Sequence, residues 1–363
     1  MAGSGPRDMD TDDQRAAVRV PVESLDGAIE FLERFGFRLD EIAPADDPAE
    51  ALMSGHGLLL ELKRSGAAPL ELLVPAGAGP ASGRHAGPGG LVVEVAASGE
   101  PAIPPPAPSF VHTRLAETPF HEGRAGLLYR DLLPSRLGGR WVASHIRAAS
   151  GGPVKDRVHH HAVRLQLIYC LSGEAQLVYE EQGPPFTFRA GDLVLQPPGL
   201  RHQVLSASTG FEVVEIASPA WHPTSIDHEM PLPSPGRAPD RLRVGQRFLH
   251  AVEERCQPET VARGVEARDL GLGSASGGLA SARVLHFRER GTVKLREGND
   301  LEFLFVRAGT GSIDGARKAA LAAGDALALA PGPFVLAGSP GLEVLEVSVS
   351  SVGAAATMPP PAR

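Results

Sequence analysis

The stretch between Gly151 and His202 constrains this chain more than any other. It holds His159-His160-His161, Gln166 and Gly173, then Gly191-Asp192, Pro197-Pro198-Gly199 and His202. From Val163 to Leu171 the residues are mostly apolar, and Ala175 to Tyr179 and Leu193 to Gln196 alternate as strands do. Successive side chains on a strand face opposite ways, so His159 and His161 share one side while His160 points away. Gly173 and Gly191 fall where strands must turn, and glycine tolerates positive φ at no steric cost. Pro197-Pro198-Gly199 is a turn signal that stops one strand and aims the next, bringing His202 in from the far side. Two imidazoles converging on one point, met by a third from a later strand, suit a borderline divalent metal. A solvated histidine run and a lone core histidine would be the bland alternative, but they do not account for glycines, proline and histidines falling in register together.

These residues resemble the two cupin motifs. In that family the first motif runs Gly, a short spacer, His-x-His, three or four residues, Glu, six residues, Gly; here the same positions are Gly152, His159, His161, Gln166 and Gly173. The second runs Gly, five residues, Pro-x-Gly, two residues, His, and Gly191, Pro197, Gly199 and His202 match it without a gap. The spacer after Gly152 is one residue longer than usual. Gln166 in place of the family's Glu is the substantive departure.

The resemblance implies a mainly β protein built on double-stranded β-helix (jelly-roll) barrels, with a divalent metal held by His159, His161 and His202. Gln166 would complete the shell or orient a bound water or O2. A neutral amide there leaves the charge of the metal uncompensated and positions open for an anionic ligand or O2. Three-His centres of this kind occur in cupin dioxygenases that cleave diketones, oxidise thiols or open gentisate-type rings. The leading expectation is therefore a non-haem Fe(II) dioxygenase acting with O2 on a small oxygen- or thiol-chelating substrate, with Mn, Ni or Zn as alternative metals. Two other readings stay open: a redox-neutral cupin isomerase, lyase or decarboxylase, and a non-catalytic small-molecule sensor.

At 363 residues the chain is long enough for two or three domains, each with its own core. A net charge of −8 without a basic cluster argues against nucleic acid as a partner. Cys170 and Cys256 are too few for a disulfide framework, and Cys170 reads as a small core residue. No apolar run approaches membrane-spanning length, and the polar start at Met1 to Gln14 is no signal peptide, so the expectation is a cytoplasmic protein without a membrane partner.

Residues 1–16 read as a disordered leader. In residues 17–97, Ala17–Val22 alternates as a strand, and Ser24 caps a helix carrying Ile29, Leu32 and Phe35, which Gly36 ends. Phe37–Ile42, Leu58–Leu62 and Leu70–Val74 read as three more strands. This β-α-β-β-β order, with the phrase from Ala28 to Phe37, resembles one module of the vicinal-oxygen-chelate (glyoxalase-like) fold. That fold takes metal ligands from its first and last strands, where this chain offers only Arg19 and Glu71. Glu61 and Glu71 read as solvated, and no metal is assigned here. A single module leaves one sheet face uncovered, which predicts packing on the rest of the chain or on a second copy as a homodimer.

Residues 76–90 are Gly- and Ala-rich and read as mobile, Leu91–Val95 as a lone strand, and residues 98–113 as a proline-rich linker. The metal-binding barrel is expected over residues 114–222. On its strand from Arg140 to Arg147, Trp141, Ala143 and His145 share a face, which makes His145 a candidate to line the cavity or a structural histidine. Arg130, Arg140 and Arg147 are candidate anchors for a substrate carboxylate, because a guanidinium offers a bidentate fork. Arg164 and Gln196 are further candidates for the cavity, whereas Tyr169 has the opposite parity to Gln166 and should point out. Residues 223–245 read as a second linker, and Leu242–Glu254 as containing a short amphipathic helix around Phe248 and Val252. Residues 246–350 look like a worn copy of the first barrel: Glu302 and Gly309 repeat the Gln166-to-Gly173 spacing, and Gly324-Asp325 echoes Gly191-Asp192. The histidine positions there carry Leu295, Glu297 and Val335, so no metal is expected. Residues 351–363 read as a tail.

Overall fold

The computed structural model describes residues 17–43, 48–75, 80–95, 103–295 and 300–350. The leader, the tail, Glu297 and parts of the segments at 76–90 and 98–113 lie outside the described residues. The chain divides into two compact units between Glu100 and Pro101. Among the described residues no helix is long and apolar enough to cross a membrane.

In the first unit one helix and two sheets share a core. Helix Leu25–Glu33 starts at Ser24, whose hydroxyl accepts from the Gly27 amide at 3.2 Å, and buries Ala28, Ile29, Phe31 and Leu32. One sheet has the strand order Ala17–Val22, Leu58–Arg64, Glu50–Gly55, Arg38–Ala43, the first pair parallel. The sequence reading expects Leu70–Val74 as the last strand of this module. Instead Glu50–Gly55 fills that sheet, and Leu70–Val74 runs parallel to Leu91–Val95 in a separate three-stranded sheet. Glu50–Gly55 carries few β-branched or aromatic residues, yet Ala51 and Met53 are fully buried, so packing outweighs propensity. Glu61 and Glu71 meet Arg19 and Arg84 at 2.7 and 2.6 Å, as surface ion pairs do.

The second unit is two barrels lying back to back. In the first, a seven-stranded sheet faces a smaller sheet that contains Glu174–Tyr179, His202–Ala207 and His159–His161. Ile146, Cys170, Leu177, Phe188 and Val213 fill the space between them. Gly173 has φ +69°, and a Cβ there would come within 2.7 Å of the Phe211 backbone, so both conformation and close approach require glycine. The second barrel pairs another seven-stranded sheet with a four-stranded one. Its interior is packed with Leu285, Phe287, Leu295, Leu304, Val306 and Leu336, with Leu295 at one of the positions that would carry a histidine.

The two large sheets meet face to face. Trp141, Leu165, Leu167, Tyr169 and Ile216 of the first barrel share one apolar cluster with Val284, Phe303, Phe305, Leu345 and Val347 of the second. Each leucine or phenylalanine removed from water there contributes about 1.5–3 kcal/mol. Polar groups cross the same boundary. Arg140 grips Asp300 with two bonds of 2.6 and 2.5 Å, and Arg164 adds a third at 2.9 Å. Glu253 accepts from Tyr169 at 2.5 Å and Arg307 at 2.9 Å, and meets His286 at 2.8 Å.

Each barrel also lends a strand to the other. Val111–Thr113 precedes the first barrel in sequence but pairs with Ala326–Leu329 of the second. Leu249–Val252 leads into the second barrel but pairs with Asp192–Leu195 of the first. The helix expected between Leu242 and Glu254 is thus this strand, followed by a short 3-10 turn at Glu253–Arg255. Its period is two: Leu249 and Ala251 join the cluster between the barrels, while Phe248 and His250 stack near Phe186 and Tyr179. In the span read as the second linker, Thr224–Ile226 forms a strand paired with His159–His161.

Candidate metal centre

His159 and His161 lie on one short strand, two residues apart and on the same face, and His202 opens the adjacent antiparallel strand directly opposite His159. The ring centroids of His159 and His202 are 4.2 Å apart, and those of His161 and His202 are 5.3 Å apart. One ring nitrogen from each of the three lies within 4.8 Å of the others, and all three residues are buried. The turn at Pro197-Pro198-Gly199 ties the two strands together, because the Gly199 amide donates to the His161 carbonyl at 3.0 Å.

The rings are held by their Nδ1 atoms. Nδ1 of His159 sits 2.7 Å from the Arg157 carbonyl, and Nδ1 of His202 sits 2.9 Å from the Leu200 carbonyl. Nδ1 of His161 lies 3.3 Å from the Thr224 hydroxyl. A carbonyl can only accept, so Nδ1 of His159 and His202 carries the proton and Nε2 becomes the ligating atom. This is how outer partners fix histidines that bind a metal. His160, on the opposite face, is half-buried and outside the cluster.

The histidines sit in a cavity of about 430 Å³. Gln166 lines it, and its Nε2 donates to Glu215 Oε1 at 2.6 Å. Only an amide nitrogen can donate to a carboxylate, so this contact fixes the amide orientation. Gln196 also lines the cavity and donates to the Tyr179 hydroxyl at 2.7 Å. Burial pushes the Tyr179 hydroxyl well up from its ordinary value, so it stays protonated. The remaining wall is largely apolar: Ile146, Ile168, Leu177, Phe188, Phe211 and Val213. Three buried imidazoles with ligand nitrogens within 4.8 Å of one another fit a borderline divalent cation.

Two expected site residues lie elsewhere. His145 faces away from the cavity, with Nε2 2.6 Å from Glu212 and its ring between Phe120 and Phe305. Arg164 is held by Asp300 at the boundary between the barrels. The expected carboxylate anchors do not line the cavity either. Arg130 donates to the Gly324 carbonyl, Arg140 grips Asp300, and Arg147 lies over the Phe120 ring, 2.9 Å from Glu212. For His145 and Arg147 the cause lies in their own strand. The strand Val142–Ala148 is buried on both faces, so its alternation does not reveal which face is interior. Ile146 and Ala148 turn inward, whereas His145 and Arg147 turn outward.

Glu215, Tyr179, His222 and His121 also line the cavity, and none of them stands at a motif position. His222 lies 5.4 Å from His161, ring to ring. A signal for Glu215 was available: it has the same parity as Phe211 and Val213, and an apolar pair of that kind marks the inward face. Tyr169 points out, toward Glu253, as its parity predicts.

Residues 146–217 match the cupin domain family model. No curated protein sequence matches the chain. Among solved structures, the chain is similar to a salicylate 1,2-dioxygenase mutant from Pseudoaminobacter salicylatoxidans in complex with gentisate, at 16% identity and a TM-score of 0.51, covering 69% of this chain and 84% of that one. It is similar to the Lactobacillus farciminis oxalate decarboxylase formate complex at 14% identity and a TM-score of 0.51, covering 66% and 86%. Protein Ylba from E. coli shares 10% identity at a TM-score of 0.50, covering 67% and 91%. At these identities the likeness is one of fold. The chain is mainly β and carries cupin-type barrels, the first of which matches the cupin domain family over residues 146–217 and holds a buried three-histidine cluster.

Proposed function

We propose that the first barrel is the active site of a divalent-metal enzyme, a non-haem Fe(II) dioxygenase acting on a small oxygen- or thiol-chelating organic molecule. The observation that carries this reading is the set of three buried imidazoles, two with Nδ1 anchored on backbone carbonyls, beside the neutral amide of Gln166. When bound, Fe(II) supplies charge stabilisation and O2 activation. The protein does the rest. Arg157 and Leu200 carbonyls and the Thr224 hydroxyl orient the rings, Glu215 orients Gln166, and the apolar wall excludes water from the substrate. His145 and Arg164 have no role at the reacting atoms.

A redox-neutral isomerase, lyase or decarboxylase is the second reading, favoured by the Glu215 carboxylate in the cavity, where it can accept a proton from a substrate. One structure of similar fold is named a dioxygenase and another a decarboxylase, so the fold itself is compatible with either. The discriminating experiment is metal analysis of protein purified without a His tag, followed by oxygen uptake with candidate diketone, thiol and hydroxylated-aromatic substrates. Uptake with Fe(II) that is absent with Zn(II) supports the dioxygenase. Turnover with both, without oxygen uptake, supports the second reading. Protein that holds no metal overturns both.

For the first unit, the sheet order Ala17–Val22, Leu58–Arg64, Glu50–Gly55, Arg38–Ala43 supports the reading as a glyoxalase-like module.

A further inference from the structure

We infer that the cavity takes a ligand with one metal-binding end and an uncharged, mainly apolar body, and discriminates against one whose body carries a carboxylate; the metal-binding end rests on the reading above. Among the described residues that line the cavity there is no lysine or arginine. The arginines on the surrounding strands are turned outward and engaged: Arg130 with Gly324, Arg140 and Arg164 with Asp300, Arg147 with Glu212. A carboxylate placed among Ile146, Ile168, Leu177, Phe188, Phe211 and Val213 would lose its hydration and find no permanent cation, the imidazoles of His121 and His222 being the chargeable groups of the lining outside the cluster. The acid in the lining, Glu215, would repel it.

The polar atoms that remain suit a neutral group. Gln196 is buried and spends one amide atom on Tyr179, and its other amide atom has no partner. That atom is the amide oxygen, which accepts, so a ligand hydroxyl can donate to it without bringing a charge. At about 430 Å³ the cavity lies within the ordinary range for small organic ligands. The site therefore selects by the absence of a cation along its walls, while the histidine end is the same whichever ligand enters.

The test uses two probes with one chelating head, 1-phenylbutane-1,3-dione and its para-carboxylate, titrated calorimetrically into the metal-loaded full chain and into the same protein stripped with a chelator. The expected result is at least ten-fold tighter binding of the neutral probe in the loaded protein, with the same order of preference in the stripped one. Val204→Arg, which places a cation on the cavity wall, should narrow or reverse the preference, while Val204→Met should keep it. Equal or tighter binding of the carboxylate by the wild type overturns the inference, as does binding of neither probe. If the protein takes up no metal yet still prefers the neutral probe, the metal reading fails and the wall selectivity stands. If metal binds but the preference is absent, the selectivity alone fails.

Discussion

The amide of Gln166 donates to Glu215 across 2.6 Å, from one strand of the large sheet to its neighbour, inside the cavity that holds the three histidines. Gln166 stands where the motif it resembles has a glutamate, and the pairing keeps a carboxylate beside it. The carboxylate is still present in the cavity, as Glu215 on the neighbouring strand, where it accepts from the amide.

Removing that outer partner should be felt at the metal. Glu215→Ala is expected to weaken divalent-metal affinity by about ten-fold or more, the usual cost of losing an orienting group behind a ligand. Competition against a chromophoric chelator measures it. Affinity equal to wild type would mean that the Gln166 orientation does not matter.

The histidines differ in what their loss should do. His159→Ala and His202→Ala should each reduce bound metal below a tenth of the wild-type content, while His160→Ala, on the opposite face, should retain it. Elemental analysis with circular dichroism as a fold control decides the matter. Equal loss in all three would point to a folding effect and not to ligation.

Asp300 sits at the boundary between the barrels with its side chain fully buried and two arginines bound to it. Asp300→Ala leaves Arg140 and Arg164 without their counter-ion, and the expected cost is about 3–5 kcal/mol. Urea unfolding reads it as a lower midpoint. A change under about 1 kcal/mol would mean that water reaches the arginines and the pair is not truly buried.

The pH dependence should carry a mark of His145. Burial pushes its pKa from 6.5 down to about 4, opposed by the hydrogen bond to Glu212, with Arg130 and Arg147 also disfavouring the charge. As the pH falls, the unfolded chain takes up this proton before the folded one does. The associated stability is therefore complete above pH 6.5 and is lost as the pH falls toward 4, on the order of 3 kcal/mol in all. His145→Phe should flatten the difference in unfolding free energy between pH 7 and pH 4. Identical slopes in the two proteins would refute the assignment.

The centre was legible in the sequence because its signals are local and chemical. Gly173, Gly191, Pro197 and Gly199 fix the turns, and His159, His161 and His202 follow from those turns and from strand parity. What stayed hidden depends on contacts distant in sequence. Phe248 and Val252 are spaced as on a helix, but Leu249–Val252 has a free strand edge to join at Asp192–Leu195, and the hydrogen bonds of that edge decide its conformation. Val111–Thr113 was lost among prolines for the same reason, since its partner Ala326–Leu329 lies about two hundred residues away. The outward turn of His145 is hidden because a strand covered on both sides shows no polar face to tell inside from outside, and the hold on Arg164 comes from Asp300, distant in sequence.

The crossing of Val111–Thr113 and Leu249–Val252 ties the two halves to each other. A recombination event that kept the histidine-bearing half and discarded its companion would strip a border strand from one sheet and strand its donor in solvent. The companion can thus lose every chemical duty of its own and still be indispensable, as the template against which the working half is completed.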